Sequence, residues 1–384
     1  MHLTKVWKEQ TMATAQLTKS ATSPMEKQEK SDLVYGLSMG SPAFLLLLIF
    51  LIGPFFAGFW FSFTNQRLIS ANPTEFVGAR NYLRLVRLGV LPLEPLIDES
   101  TGQLQRDEQG QLVYERSRTY TRDEEKYPQY AGLTEWFTLD LGTTRYVVLA
   151  ADPIFMRSLV NNFFFAIVVI PLQSAIGLLL ALVVTQKLRG ENFFRTMYFA
   201  PVVTSMVVVA TVWRYLYDVN NGLVNAMIQT ASFGLIQPVN WLGDPGVAMW
   251  AIIIMSVWQG AGFQMMLFVA GLQQIPEERY EAASIDGANA WQKFLYITIP
   301  GLRNVMVFNF IIITIAAFQL FDQVLVMTNG GPDNATSTVV FHMFKNGFRE
   351  QDIAYASTIA VVFFLIILFI NYLQRRVTKT GETV

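Results

Sequence analysis

Hydrophobic residues in this chain fall into long runs separated by polar segments, and the runs are too long and too apolar for a soluble fold. A bilayer core about 30 Å thick is crossed by roughly 20 apolar residues in a helix. Six stretches meet that length: 41–63, 161–185, 198–217, 248–272, 305–326 and 356–373. Helices are the expected form, because a backbone in lipid has no water to satisfy its polar groups. Pro171, with Gly177 nearby, should bend or loosen the second span. The pattern therefore predicts an all-α membrane protein with six transmembrane helices: the first span within 37–66, a core over 159–374, and polar tails at 1–36 and 375–384. About 35 polar residues precede the first run, too many for a cleavable signal, so 1–36 reads as a mobile tail.

Lysine and arginine counts orient the spans. Segment 1–40 carries five, loops 186–196 and 273–304 three each, and the C-terminal tail three (Arg375, Arg376, Lys379). The short loops between them, 218–247 and 327–355, carry none and two. Both termini and the 273–304 loop are expected on the cytoplasmic side, and the long 67–158 loop outside. Within that loop, turn signals at Thr101-Gly102 and Gln109-Gly110 flank alternating stretches such as Gln111-Leu112-Val113-Tyr114, which predicts a small β-rich insertion over 88–150.

The most specific segment is PEERYEAASIDGANAWQKFLYITIP, residues 276–300. Pro276 suits a first helical position, and Glu277 and Glu278 suit the positive end of the dipole. Ala282 and Ala283 favour a slim helix, Gly287 suits a left-handed stop, and Asn289 can cap a second helix from Trp291. Glu281-Ala282-Ala283, then Gly287, then Ile297-Thr298-Ile299-Pro300 resembles the EAA loop of ABC importer permeases, with Ile299 in place of the usual Leu. Thr328-Asn329-Gly330-Gly331-Pro332 resembles an external turn of the sugar permeases. Phe76–Tyr82 and Asp152–Phe155 resemble two halves of a segment those relatives keep continuous.

Several properties follow from the resemblance as expectations. The fold is the type-I ABC importer permease fold. Glu281, Ala282, Ala283 and Gly287 form the ATPase-coupling site. Ser256, Gln259, Gly260 and Phe263 match positions lining the sugar site of maltose-type permeases, whereas Ala317 stands where those relatives carry an amide. The expected partners are a second homologous permease subunit, two copies of an ABC ATPase that binds the ATP and Mg, an extracellular or periplasmic solute-binding protein, and a di- or oligosaccharide. The insertion is expected either to contact the binding protein or to be a tolerated loop. The location implied is a bacterial cytoplasmic membrane.

Composition narrows the alternatives. The chain is 52% hydrophobic and 15% charged, against about a quarter charged in soluble proteins. A net charge of −1 gives no reason to expect nucleic acid. With no cysteine, thiol chemistry and cysteine metal sites are excluded, and His2 and His342 make no metal site or triad by sequence. No G-x-x-x-x-G-K-[ST] occurs, so nucleotide phosphates have no P-loop here and no catalytic residues or cofactors are expected in the chain. Charged residues within the spans, Arg214 and Asp322, lie near their ends, unlike the mid-membrane acids of proton-coupled carriers. Gln319 and the aromatic faces of Trp258, Phe263, Phe318 and Phe321 are candidate sugar contacts, although Gln and Gly also serve as ordinary glue between helices. A stand-alone carrier or channel, and a receptor with the insertion as its ligand domain, remain the rival readings.

Overall fold

The computed structural model describes residues 24–97, 102–186 and 190–379. Most of the expected 1–36 tail, Thr101 of the turn signal, Lys187 and Arg189 of the basic loop, and the chain end from 380 lie outside the described residues. The chain divides into two compact units, 1–60 and 61–384. The first is a single helical rod: α1 (Pro24–Leu47), one π turn (Leu48–Ile52) and α2 (Gly53–Phe61). Its stretch Tyr35–Phe61 is long and apolar enough to cross a membrane, and its described part is helical from Pro24 on, inside the segment read as a tail.

In the second unit, α3 (Arg80–Val86) leads into the insertion. Strands β1 (Leu88–Leu93), β2 (Thr134–Leu141) and β3 (Thr144–Ala150) form an antiparallel sheet in the order β1-β3-β2, with a short helix α4 (Ser117–Arg122) beside it. The β-rich expectation is met. Leu91, Leu93, Leu133, Val147 and Leu149 make a core of its own. Across β2 and β3, Arg145 bonds Asp140 at 2.7 Å and stacks over Tyr114. The residues around 111–114 pair only through single bridges, Arg106 with Leu112 and Pro95 with Tyr114. The turn at Gln109-Gly110 is present, closed by Gly110 N–H on the Asp107 carbonyl. Leu88 pairs with Ala150, and Ala151 N–H donates to the Arg87 carbonyl at 3.0 Å. The insertion thus leaves and rejoins the chain at adjacent points, which is why the motif halves at 76–82 and 152–155 can sit about seventy residues apart.

The helices that follow are α5 (Pro153–Val184), α6 (Glu191–Val203), α7 (Met206–Leu216), α8 (Leu223–Ala231), α9 (Ala248–Leu272), α10 (Glu277–Ile285), α11 (Ala290–Lys293), α12 (Ile299–Gly301), α13 (Arg303–Phe318), α14 (Asp322–Met327), α15 (Val339–Phe344) and α16 (Ile353–Lys379). Asp152 starts α5 as its N-cap, accepting from Phe155 N–H at 2.9 Å. The helix then continues unbroken through Pro171. Ile252, Ile253 and Met255 of α9, Phe165 of α5, Ile313 and Phe318 of α13 and Ile359 of α16 form the main core. About two thirds of α9 is buried against about a third of α5 and of α16, so α9 is the innermost helix.

Two of the six expected spans are not single helices. The stretch 198–217 is split between α6 and α7, which meet at 99°. Pro201 removes a backbone donor inside α6, and Thr204 and Ser205 are extended. The stretch 305–326 ends its helix at Phe318 and restarts at Asp322, and α13 itself meets the preceding 290–301 helix at 65°. By length and composition, four described helices can cross a membrane alone, and six do if each bent pair counts as one.

The second break persists because side chains satisfy the backbone it frees. Asn162 Nδ2 donates to the Ala317 carbonyl at 3.4 Å, and Thr338 Oγ1 donates to the Leu320 carbonyl at 2.8 Å. Asn162 Oδ1 also accepts Val339 N–H at the start of α15, at 2.9 Å. One fully buried amide on α5 therefore holds two helix ends.

Candidate functional site

The 276–300 loop is built as its residues predict, with one shift. Pro276 is extended and forms the N-cap, so α10 starts at Glu277. At its other end Ala288 N–H donates to the Ala283 carbonyl at 2.8 Å and Gly287 N–H to the Ser284 carbonyl at 3.1 Å. This pair of bonds requires a left-handed residue after the helix, and Gly287 sits at φ +80°. Asn289 then caps α11 in a reciprocal box with Gln292, at 2.9 and 2.8 Å.

The turn between α10 and α11 places them side by side. Lys293 Nζ bonds Ser284 Oγ at 2.6 Å, and Tyr280 OH meets the buried Thr298 Oγ1 at 2.9 Å. The outer face of α10 is left open: Glu281, Ala282 and Gly287 are exposed, Ala283 is half-buried, and Ile285 is 87% exposed. Behind the helix lies a cleft of about 900 Å³, lined among others by Gln186, Arg195, Gln274, Tyr280 and Lys293. The short, slim helix is thus tied at its back, through Tyr280 and Lys293, to the chain leading to α13, and is bare at its front.

The expected path residues are placed less uniformly. Ser256, Gln259, Gly260 and Phe263 recur at helical spacing along α9. Ser256 is buried and its Oγ has no hydrogen-bond partner among the described residues. Gln259 reaches the Pro201 carbonyl at 3.5 Å. Gly260 is overlain by the side chain of Gln173 from α5, so any Cβ there collides with that amide. Phe263 is 37% exposed, and Gln319 is exposed at the break after α13. A cavity of about 560 Å³ between α5, α6 and α9 is lined by apolar residues and Trp258, and by none of these five. Among the aromatic candidates, Phe318 cannot offer a face to a sugar: it is 2% exposed and packs edge-on against Phe163.

Sequence reasoning missed two polar clusters. Asp152 Oδ2 accepts from Tyr355 OH at 2.6 Å and meets His342 Nε2 at 2.8 Å, joining the starts of α5 and α16 to α15. Burial pushes the Asp152 carboxyl up, but the hydrogen bond and charge of His342, with the Tyr355 and Phe155 donors, outweigh it and hold the group below the ordinary carboxylate range. Arg84 lies 4.0 Å over the Tyr355 ring and bonds Asp352, fixing the stalk of the insertion to α16. The Asp-Pro pair at 152–153 is a local helix-start signal that could have drawn notice to Asp152. Its partners, some 190 and 203 residues away, left no local trace. The second cluster is Ser158, Asn161 and Asn162 on α5, which grip the 334–339 strip through Ser337, Asn334 and Val339. This seats the Thr328–Pro332 turn, closed by Gly331 N–H on the Thr328 carbonyl.

Comparison with known proteins follows the same lines. The trehalose/maltose transport system permease protein of Thermococcus litoralis is 32% identical over 62% of this chain and 80% of its own length. The lactose transport system permease protein of Rhizobium radiobacter is 35% identical over 61% of this chain and 79% of its own. A crystal structure of a bacterial ABC transporter that imports the acidic polysaccharide alginate contains a chain with this fold, with a TM-score of 0.62 over 92% of this chain and 99% of that one, at 20% identity. Residues 173–380, which hold α9, the 276–300 loop and the helices it feeds, match the family described as binding-protein-dependent transport system inner membrane component, and this chain belongs to that family.

Proposed function

We propose that this chain is the translocating subunit of an ABC importer for a carbohydrate, a di- or oligosaccharide, delivered by an extracellular solute-binding protein. The observation that carries the reading is the 276–300 loop: an exposed helix bounded by a left-handed turn and a capping box, bonded at its rear. Glu281, Ala282, Ala283 and Gly287 are its contact with a separate ATPase. Closure of the ATPase on nucleotide displaces α10, and α11 to α13 follow as a rigid body, exposing the path to alternate sides. The sugar class rests on relatives named for lactose and for trehalose/maltose. Ser256, Gln259, Gly260 and Phe263 on α9, with Gln319, form one wall of the path, and a second, similar permease supplies the other. The termini and the 276–300 loop face the cytoplasm, and the insertion faces the binding protein.

The test is reconstitution. Purified with its companion chains in liposomes, the protein should import sugar only with ATP and the binding protein present, and the binding protein should stimulate ATP hydrolysis. Uphill transport by this chain alone would overturn the reading in favour of a self-sufficient carrier.

A further inference from the structure

The segment between α7 and α9 carries an unusual feature. Residues 219–243 contain no charged residue, yet they hold several of the more exposed apolar side chains of the second unit. On α8, Leu223, Ala226, Met227 and Thr230 are exposed at helical spacing. The stripe runs on into Phe233, 94% exposed, Leu235, 86% exposed, and Ile236.

The end of α8 is strained to present it. Gly234 N–H donates to the Gln229 carbonyl at 2.8 Å and Phe233 N–H to the Thr230 carbonyl at 3.3 Å. These are the bonds of a left-handed helix stop, a position that favours glycine. Here the left-handed residue is Phe233, at φ +52°. A bulky residue in that region is costly, and it persists where its surroundings reward it. Within the chain a ring that is 94% exposed gains almost no packing, so the reward lies outside.

Where the stripe sits is fixed by a chain of contacts. Asn225 of α8 accepts from Trp241 Nε1 at 3.0 Å and from Val239 N–H at 3.1 Å. The Trp241 ring packs 5.3 Å from Tyr217, whose hydroxyl donates to the Ala251 carbonyl in the first turn of α9. Exposed Tyr215 at the end of α7 and exposed Trp250 at the start of α9 flank this level. Tyr and Trp gather where hydrocarbon gives way to headgroups. The stripe is therefore pinned beside the end of α7 and the start of α9, at the opposite end of α9 from the 276–300 loop. An uncharged, apolar, one-sided helix at that level has the chemistry of an interfacial anchor.

We infer that α8 and the 233–236 tip lie in the membrane–water interface on the face opposite the coupling loop, with Phe233 and Leu235 inserted among the lipid headgroups and upper acyl chains. The inference goes beyond the import reading and rests only on the membrane spans. This chain has no cysteine, so labelled on its own before it is assembled with its companion chains it carries a single unambiguous label. The assembled transporter is reconstituted in nanodiscs with an environment-sensitive fluorophore on Phe233→Cys or Leu235→Cys, the latter keeping Phe233, and on Glu108→Cys in an exposed turn of the insertion. Phospholipids brominated near the headgroup should remove most of the emission at 233 and 235 and leave 108 unchanged, while aqueous iodide should do the reverse. Iodide quenching at 233 and 235 equal to that at 108, with no response to brominated lipid, would overturn the assignment. Shielding from iodide without brominated-lipid quenching would overturn it in favour of a companion chain, as would shielding that appears only when the solute-binding protein is added.

Discussion

Replacing Gly287 with valine isolates the turn that ends α10 and tests the proposed coupling role. A Cβ at 287 meets nothing within 4 Å, so the cost expected to dominate is the backbone at φ +80°. For a residue with a side chain that cost is about 1–2 kcal/mol, and β-branching places valine at the upper end. A loss of that size lowers the ratio of ordered to frayed turn by about 5–30-fold but is small beside a folding stability of about 5–15 kcal/mol. The variant should therefore insert and purify as a monodisperse assembly while the Ala288 and Gly287 bonds to α10 fray. In proteoliposomes with the ATPase, second permease and binding protein, sugar uptake should fall and more ATP should be hydrolysed per sugar imported. A series orders the cause: asparagine, which tolerates left-handed geometry, should be mildest, alanine intermediate and valine worst. Valine import equal to wild type at unchanged ATP per sugar would refute the coupling role. Equal losses for asparagine and valine would refute the backbone argument behind it.

Three further outcomes are expected. Asn162→Ala leaves the buried Val339 N–H without its acceptor and should destabilise the protein by about 1–3 kcal/mol, read as a lower melting midpoint in detergent; an unchanged midpoint would show that the break after α13 is held otherwise. The folded-state value of Asp152 is depressed from its ordinary 3.8, so its stabilisation is present above that pH and is lost as pH falls through the lower folded value. Wild type should accordingly lose melting temperature more steeply below pH 4 than Asp152→Asn, and parallel profiles would contradict the assignment. Replacing 88–150 with a short linker should leave the helical core intact by circular dichroism, because Leu88 and Ala150 are cross-strand neighbours about 5 Å apart. If the insertion contacts the binding protein, the same variant should lose binding-protein-stimulated ATP hydrolysis.

The amino-acid sequence by itself determined the features that act over one helical turn or one run of residues. Apolar length set the spans. Gly287 and Asn289 set the turn and cap of the 276–300 loop, because left-handed geometry and side-chain capping are decided within five residues of the chain. The turn at Gln109-Gly110 was legible in the insertion, but the alternating 111–114 stretch makes only isolated bridges and the sheet is built from β1, β2 and β3. Tertiary structure alone decided what depends on residues far apart in the chain. The 305–326 stretch reads as one uninterrupted span, yet it is broken because Asn162 and Thr338 are brought to its free carbonyls. Phe318 has the composition of a sugar platform and is instead core, since burial is a property of neighbours. Asp152, His342 and Tyr355 carry no shared local pattern, and only folding places their atoms within hydrogen-bond reach. Period and propensity are local quantities. Which polar group satisfies which backbone end is settled by packing, and in a membrane, where water offers no substitute, packing decides where helices stop.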